Sequence, residues 1–493
     1  MPPVSAPALH GADAERFDCR SKADTTANGP LPCDADAAGF DPIAYINGPR
    51  WQSSRLGLER ISALLERMGR PQDRCRFVHV AGTNGKGSAC AYLASILQAA
   101  GYRTGLFTSP YIVRFEERIR VDGRDISKSD LVRTTLFVRE HAEAFAAETG
   151  DHPTEFELMC AVALQHFVDN GCDIAVVEVG LGGRLDSTNV IPAPEVCVIA
   201  RIAYDHTDLL GSTLAAIAGE KAGIIKPGSI VVSWPQDDAG AAEAIERVAA
   251  SCGAPVVVPD LSQLEYAPVD ERGLRRFSYR GRAYETCLLG SYQPANAALA
   301  VESALALRGR GWGVSDDAIE RGVRAARWPG RFEVLDGCAR GCARVVVDGG
   351  HNPQGARVLM DSLEDVFPGE KSVFLIGVLA DKDYRAMVAA ALPHARAFVC
   401  VEPPNPRALS VSDLAAAVRD ALAARATAET DVAVQVADGM DDAAARALAL
   451  AGDGGLICAF GSLYSLAAVK AAFGCGPDAT SKSLSAAKNR DCV

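Results

Sequence analysis

Residues 76–88 read RFVHVAGTNGKGS, a short apolar run that ends in a glycine-studded turn with one lysine and a closing serine. Those types in that order suit an anion. Gly82, Gly85 and Gly87 let the backbone bend and approach a phosphate without Cβ interference, and Lys86 adds a point charge. The helix-forming stretch beyond Ser88 would bring unpaired N–H groups and the positive end of a dipole to the turn. The strict spacing G-x-x-x-x-G-K-[ST] is not met, because residue 80 is valine and Gly87 separates Lys86 from Ser88. A plain strand-to-helix connection is the alternative, and the lysine, the serine and the strand-turn-helix setting weigh against it.

Other chemistry-bearing residues also fall where apolar runs end. Ser109, in Thr108-Ser109-Pro110, follows a short strand over residues 104–107, where ligands gather, although a surface turn is the plainer reading of Ser-Pro. Glu178 closes the apolar run IAVVEV, and a buried carboxylate needs either a basic partner or a metal ion. The glycine-rich GLGGRLDSTNV that follows offers Arg184, Asp186 and Asn189 as polar contacts. His206, in Tyr204-Asp205-His206-Thr207, ends another buried run at residues 196–202 and is a neighbouring ligand candidate. Glu220, Lys221 and Lys226 lie near a helix end, where complementing the dipole is explanation enough for the two lysines. Residues 114–121, RFEERIRV, mix charge and apolar positions as either a solvated strand or a loop around an anionic substrate.

The elements that must position these residues form an α/β pattern. With 493 residues the chain is long enough for two domains with cores of their own. Its 48% hydrophobic and 23% charged residues are ordinary for a soluble protein, and no apolar run approaches the roughly 18 residues that span a bilayer. A net charge of -12 argues against a nucleic-acid partner and for small molecules. The 15 cysteines are odd in number, and Cys160, Cys197, Cys400 and Cys458 sit singly among apolar residues, as reduced thiols of a cytoplasmic protein would. Cys338 and Cys342 lack the further ligands of a zinc site.

Residues 1–40 have no periodicity, no basic start and no apolar h-region, so a disordered extension is expected there, not a signal peptide. A helix with Leu56, Ile61, Leu64, Leu65 and Met68 on one face precedes the phosphate turn. The first unit, 41–326, carries a mostly parallel sheet, with an antiparallel addition at 265–289 and a helix started by Pro294 that puts Asn296 in its first turn. A smaller Rossmann-like unit, 327–476, is expected from strands at 344–347, 373–378, 398–401 and 456–460. Asp348 follows the first of these strands and Asp381-Lys382-Asp383 the second. Residues 477–493 read as a loose tail.

The word GTNGKGS resembles the ATP loop of folylpolyglutamate and dihydrofolate synthases, relatives of the Mur peptide ligases. The resemblance runs over residues 43–473 through TSP, VEVGLGGRLDSTNV, DHT, GEKAGIIKPG, the Asn296 segment, PGRFE, DGGHNP and DKD in the family's order. It implies a P-loop-type ATPase domain and a C-terminal glutamate ligase domain that form an amide between a pteroate or folate carboxylate and L-glutamate. ATP would contact Gly82, Thr83, Asn84, Gly85, Lys86, Gly87 and Ser88, with Asn296 at adenine, Asp348 at ribose and Arg331 at the terminal phosphate. Magnesium would take Ser109, Glu178 and His206, which decides Glu178 for metal. Lys221 resembles the lysine this family carbamylates with carbon dioxide. Catalysis would rest on Lys86, Lys221, His206 and Arg331. Thr154, Phe156, Arg184, Asp186, Thr188, Asn189 and Lys382 would line the side that takes the pterin and glutamate. Tyr111 stands where the family usually has histidine. The implied partners are ATP, glutamate, dihydropteroate and reduced folates, with no nucleic acid or membrane, and the chain is expected to be a monomer. Two rivals are a Mur-type ligase for another acceptor and a nucleotide-binding switch that ligates nothing.

Overall fold

Runs of Val, Ile and Ala too uniformly apolar to face water pair as a parallel sheet buried on both sides. The computed structural model describes residues 39–48, 55–335, 343–425 and 432–475. The expected extension up to residue 38, the tail and the Cys338/Cys342 pair lie outside the described residues. In chain order the first sheet comprises β1 (Arg76–Ala81), β2 (Thr104–Phe107), β3 (Ile119–Val121), β4 (Arg124–Asp125), β5 (Ile174–Glu178), β6 (Val196–Ile199), β7 (Ile230–Ser233) and β8 (Val256–Val257). Their order is β4-β3-β2-β5-β1-β6-β7-β8, parallel except for β3 and β4 at one edge. The chain leaves β1 toward β2 and returns across it from β5 to β6, so β1 marks a switch point whose carboxyl end is a natural ligand crevice.

Alternation along β1 divides the core. Val78 and Val80 pack under the helices Lys86–Ala99, Gln293–Gly309 and Asp316–Ala325, and Phe77 packs under Glu59–Arg67, Lys128–Thr149 and Glu155–Asp169. The helix after the phosphate turn starts at Lys86, earlier than expected, because Gly85 at φ +89° serves as its N-cap. Residues 114–121 combine a turn with a short strand. They make a 3₁₀ turn, Phe115–Arg118, that runs into β3.

An antiparallel trio, β9 (Glu265–Tyr266), β10 (Arg275–Tyr279) and β11 (Arg282–Thr286), follows the first sheet. Arg275, 0% exposed, donates to Leu289 O at 2.9 Å and pairs with Asp365 on the helix Pro353–Val366, tying this trio to the second unit. The second sheet contains β12 (Glu333–Leu335), β13 (Arg344–Val347), β14 (Ser372–Ile376), β15 (Ala395–Cys400), β16 (Ala433–Val436) and β17 (Leu456–Phe460). Its order is β12-β13-β17-β14-β15-β16, parallel apart from β12, and helices cover both faces as in a Rossmann-like layer. The edge strands β12 and β16 have no counterpart in the sequence reading, since neither is a fully buried apolar run. Cys160, Cys197, Cys400 and Cys458 are buried free thiols. No helix among the described residues is long and apolar enough to cross a membrane.

Candidate active site

The carboxyl ends of β1, β5 and β6 open on a cavity of about 510 Å³ that loops of the second sheet close from the other side. The phosphate turn forms its floor. Gly82 holds φ +145°, and a Cβ there would meet Ala200 Cβ at 2.7 Å. A Cβ on Gly85 would lie 2.7 Å from Asn296 Oδ1. No side chain caps the helix that starts at Lys86, so its first N–H groups stay available to an anion. Lys86 Nζ donates to Thr83 O at 3.3 Å and stands 4.0 Å from Glu178 Oε1.

Hydrogen bonds fix this turn from two sides. Ser88 Oγ accepts from Gln293 Nε2 at 3.2 Å, and Gln293 Oε1 accepts from Asn296 Nδ2 at 3.3 Å. Thr83 Oγ1 donates to Ala203 O at 3.0 Å. Asn84 Nδ2 donates to Gln354 Oε1 at 2.5 Å, and Asn352 Nδ2 donates to Asn84 Oδ1 at 3.1 Å, so the second unit grips the turn directly.

Glu178 is 4% exposed. Burial pushes its carboxyl above the usual range, opposed mainly by the Lys86 charge and by the Ser109 N–H, which donates to Oε2 at 3.2 Å. With one hydrogen bond among the described residues, its nearest cation 4.0 Å away and Arg331 and Arg118 acting only through space, this anion is under-compensated. His206 also lines the cavity, at φ +51°. No three His, Cys, Asp or Glu side chains among the described residues form a metal cage of their own. A site that draws on one carboxylate, one imidazole, a hydroxyl and substrate phosphate would not form such a cage; its carboxylate, hydroxyl and phosphate are the hard oxygen donors magnesium favours, and the imidazole is the softer member of the set.

Lys221 is 5% exposed, and its Nζ donates to Gly82 O at 2.9 Å. Burial, aided by the Lys86 charge, pushes its ammonium down to about 7, while Asp205 and Asp186 act on it only through space. Lys226 is different, because its Nζ donates to Asn189 O at 2.8 Å and to Ile191 O and so ties down the 180–190 loop.

Asp205 joins the two units. Its carboxylate accepts from Lys382 Nζ at 2.7 Å and stands 3.6 Å from His351 Nε2, both on the second unit. Burial alone would raise this carboxyl, but the His351 hydrogen bond, the two imidazoles and Lys382 hold it well below the usual range. A depressed acid contributes stability above its unfolded pKa and loses it as pH falls through the folded value. Asp205→Asn should therefore cost about 1.5 to 3 kcal/mol at pH 7, and the deficit should shrink below the ordinary aspartate value of about 3.9. Urea midpoints at pH 7 and in acid check this.

Arg331 reaches the cavity with one hydrogen bond, to Gly330 O at 3.2 Å, and its charge is felt at Glu178. Asp348 lines the cavity too, yet its oxygens are already taken. Oδ2 accepts from Phe332 N at 2.7 Å and Tyr292 Oη at 3.1 Å, and Oδ1 accepts from Gly350 N at 2.7 Å.

Of the residues expected on the substrate side, Thr154, Phe156, Asp186 and Lys382 line the cavity and Arg184, Thr188 and Asn189 do not. Thr154 caps the helix Glu155–Asp169 in a reciprocal box with Glu157, and Phe156 fills the space a Cβ on Gly180 would occupy, 2.4 Å from its Cζ. Arg184 pairs with Glu220 at 3.0 Å, Thr188 binds His79 Nε2 at 2.9 Å, and Asn189 donates to Arg184 O and Gly223 O. These three shape the loop that presents Asp186. Sequence reading missed the tie made by Asp205, Gln293 behind Ser88, and Arg118, which also lines the cavity.

Residues 80–304 match the Mur ligase middle domain, and residues 330–463 match the Mur ligase glutamate ligase domain. The chain is 34% identical over 488 residues to the dihydrofolate synthase/folylpolyglutamate synthase of Mycobacterium tuberculosis, covering 92% of this chain and 97% of that one. The chain belongs to the dihydrofolate synthase/folylpolyglutamate synthase family. The Bacillus subtilis member is 38% identical over 392 residues, which is 75% of this chain and 88% of that one. Among solved structures, the Mycobacterium tuberculosis folylpolyglutamate synthase complexed with ADP and AMPPCP superposes with a TM-score of 0.77 at 32% identity, covering 88% of this chain and 99% of that chain. As a member of this family the chain is an ATP-dependent ligase.

Proposed function

We propose that this chain joins L-glutamate to the carboxylate of reduced folates, and to that of dihydropteroate, at one site and through an acyl phosphate. The observation that carries the reading is the convergence on one cavity of the phosphate turn with Lys86, a nearly uncommitted Arg331 from the second unit, and a buried carboxylate and lysine.

A carboxylate is a poor electrophile. An oxygen of the acceptor carboxylate attacks the terminal phosphorus of ATP and ADP leaves, while Lys86, Arg331 and the helix N-terminus stabilise the charge on the transferring group. The glutamate amine then adds to the acyl carbon and loses its proton, and phosphate departs with one oxygen of the acceptor. Because Arg331 and Lys382 belong to the second unit, its contacts with Asn84 and Asp205 complete the site and keep water from the acyl phosphate.

Ser109, Glu178 and His206 suit magnesium, given the under-compensated Glu178 carboxylate at the cavity floor. When bound, the metal supplies charge neutralisation between two anionic substrates. Lys221 suits carbamylation, because its buried amine has one carbonyl partner and a carbamate would exchange the costly cation for an oxygen ligand. Thr83, Asn84 and Ser88 serve the phosphates, Asn296 adenine, and Asp348 orders the ribose side. Thr154, Phe156 and Asp186 face the pterin, backed by Arg184, Thr188 and Asn189. The chain acts as a cytoplasmic monomer without nucleic acid.

Both acceptors present a carboxylate to the same ATP and the same amine, the folate on a longer arm that also carries its glutamate. Purified enzyme given ATP, magnesium and glutamate should therefore yield dihydrofolate from dihydropteroate and a diglutamate from tetrahydrofolate, read by mass in separate reactions. Product from tetrahydrofolate alone would reduce the reading to a folylpolyglutamate synthase. Product only from a cell-wall precursor, or ATP binding with no ligation at all, would favour the rivals.

A further inference from the structure

Arg118 ends the 3₁₀ turn Phe115–Arg118 and is 8% exposed, yet among the described residues no carboxylate pairs with its guanidinium. Its Nε lacks a hydrogen-bond partner, and the carboxylates of Glu155 and Glu178 act on it only through space. The charge is instead framed by aromatic faces, with Tyr111 and Phe115 centred 4.9 and 5.6 Å away. Its neighbours show how unusual this is. Arg114 and Arg120 both pair with Asp125, at 3.0 and 2.8 Å, and the fully buried Arg275 satisfies two carbonyls and Asp365. Nor is the segment loose, because Glu117 accepts from the backbone N–H groups of Ile112, Val113 and Arg114 at 2.9, 3.2 and 2.9 Å. A rigid turn thus holds an unpaired buried cation in the cavity wall.

We infer that Arg118 binds a substrate carboxylate that takes no part in bond formation. The inference rests on the proposed ligation. The phosphate turn already has Lys86 and Arg331, whereas Arg118 lines the cavity together with Glu155 and Phe156, on the side the proposed ligation gives to the organic substrate. A planar fork beside aromatic rings suits bidentate recognition of a carboxylate, and desolvation makes that contact strong. Two sources fit this chemistry. The incoming glutamate brings two spare carboxylates, and a glutamylated acceptor brings one on its tail. Dihydropteroate brings none, since its single carboxylate reacts. Tyr111, packed on Arg118, then helps to shape this slot.

Arg118→Gln and Arg118→Lys test the assignment through KM for glutamate and for each acceptor, ATP affinity by calorimetry, and melting temperature. A tenfold or greater rise in KM for glutamate with both acceptors supports binding of the incoming amino acid. A similar rise in KM for tetrahydrofolate, with that for dihydropteroate unchanged, supports binding of the tail. In either case Arg118→Gln keeps its ATP affinity and melts no lower than wild type, because it removes an unpaired buried charge, and Arg118→Lys recovers part of the loss. KM values within twofold of wild type, or a loss confined to ATP affinity, overturn the inference. If wild type ligates neither acceptor, the proposed function fails instead. Arg118 is then decided by glutamate alone, which should raise the melting temperature of wild type and not of Arg118→Gln, and equal shifts refute it.

Discussion

Lys86→Ala should lower kcat roughly 1000-fold and leave the circular dichroism spectrum unchanged, since losing one preorganised charge at a transition state costs about 10² to 10³. Lys86 faces the cavity from a polar turn, and among the described residues its hydrogen bond is to Thr83 O at 3.3 Å, so neither core depends on it. Its charge is also the largest influence that opposes the burial of Glu178. Without it, Glu178 would hold its proton to higher pH, and the rise of activity with pH should shift upward in the variant. Charge builds on the phosphoryl group in the transition state more than in bound ATP, so the loss should fall on kcat more than on KM. A wild-type rate in the variant would show that the turn does not hold phosphate.

Lys221→Ala should cost about 100-fold in activity, the scale seen when a metal site loses its support, whereas Lys226→Ala should cost stability instead. The two lysines are five positions apart and differ in what they touch. Lys226 bonds the carbonyls of Asn189 and Ile191 at the end of the 180–190 loop, and its loss should lower the unfolding free energy, read from urea titration, by about 1.5 to 3 kcal/mol. Lys221 lies in the cavity wall with one carbonyl. The linkage sign is the same for both, since burial also pushes Lys226 down to about 8, so the contrast rests on what each lysine holds. A lysine held at about 7 favours the neutral amine in the folded state, so its burial costs stability at low pH. That cost is relieved as pH rises from 7 toward the ordinary value of about 10.4. Without carbon dioxide, Lys221→Ala should thus melt no lower than wild type at pH 6. Acetate should restore part of its activity by supplying the missing oxygens, and carbon-13 dioxide should label wild type alone. Equal rates for the two lysine variants would sink the assignment.

Much of this was legible because it is written locally. Apolar runs such as IAVVEV have one comfortable place, inside a parallel sheet, and chemistry-bearing residues directly after them fall at one edge of it. Gly82 and Gly85 announced a turn with no room for a Cβ, and the structure shows why, since a side chain at either would strike Ala200 or Asn296. Other features were hidden because they depend on distance along the chain. The long helix Lys128–Thr149 mixes charges into its apolar stripe and left no clear trace. The edge strands β12 and β16 are short and only partly buried, so they lack the signal that marks their inner neighbours. Asp205 and Lys382 are 177 residues apart, and nothing local marks them as partners. Arg118 sits among Arg114, Glu116, Glu117 and Arg120, where the sequence offers acids to pair with, and its isolation exists only in three dimensions.

The central claim is that one cavity activates an acceptor carboxylate as an acyl phosphate before glutamate attacks. Its most direct test uses dihydropteroate labelled with oxygen-18 in the carboxylate, together with ATP, magnesium and glutamate, and follows the label in inorganic phosphate. One labelled oxygen should appear in phosphate for each amide formed, and Lys86→Ala should slow both in parallel. Amide formed without label in phosphate would contradict the account.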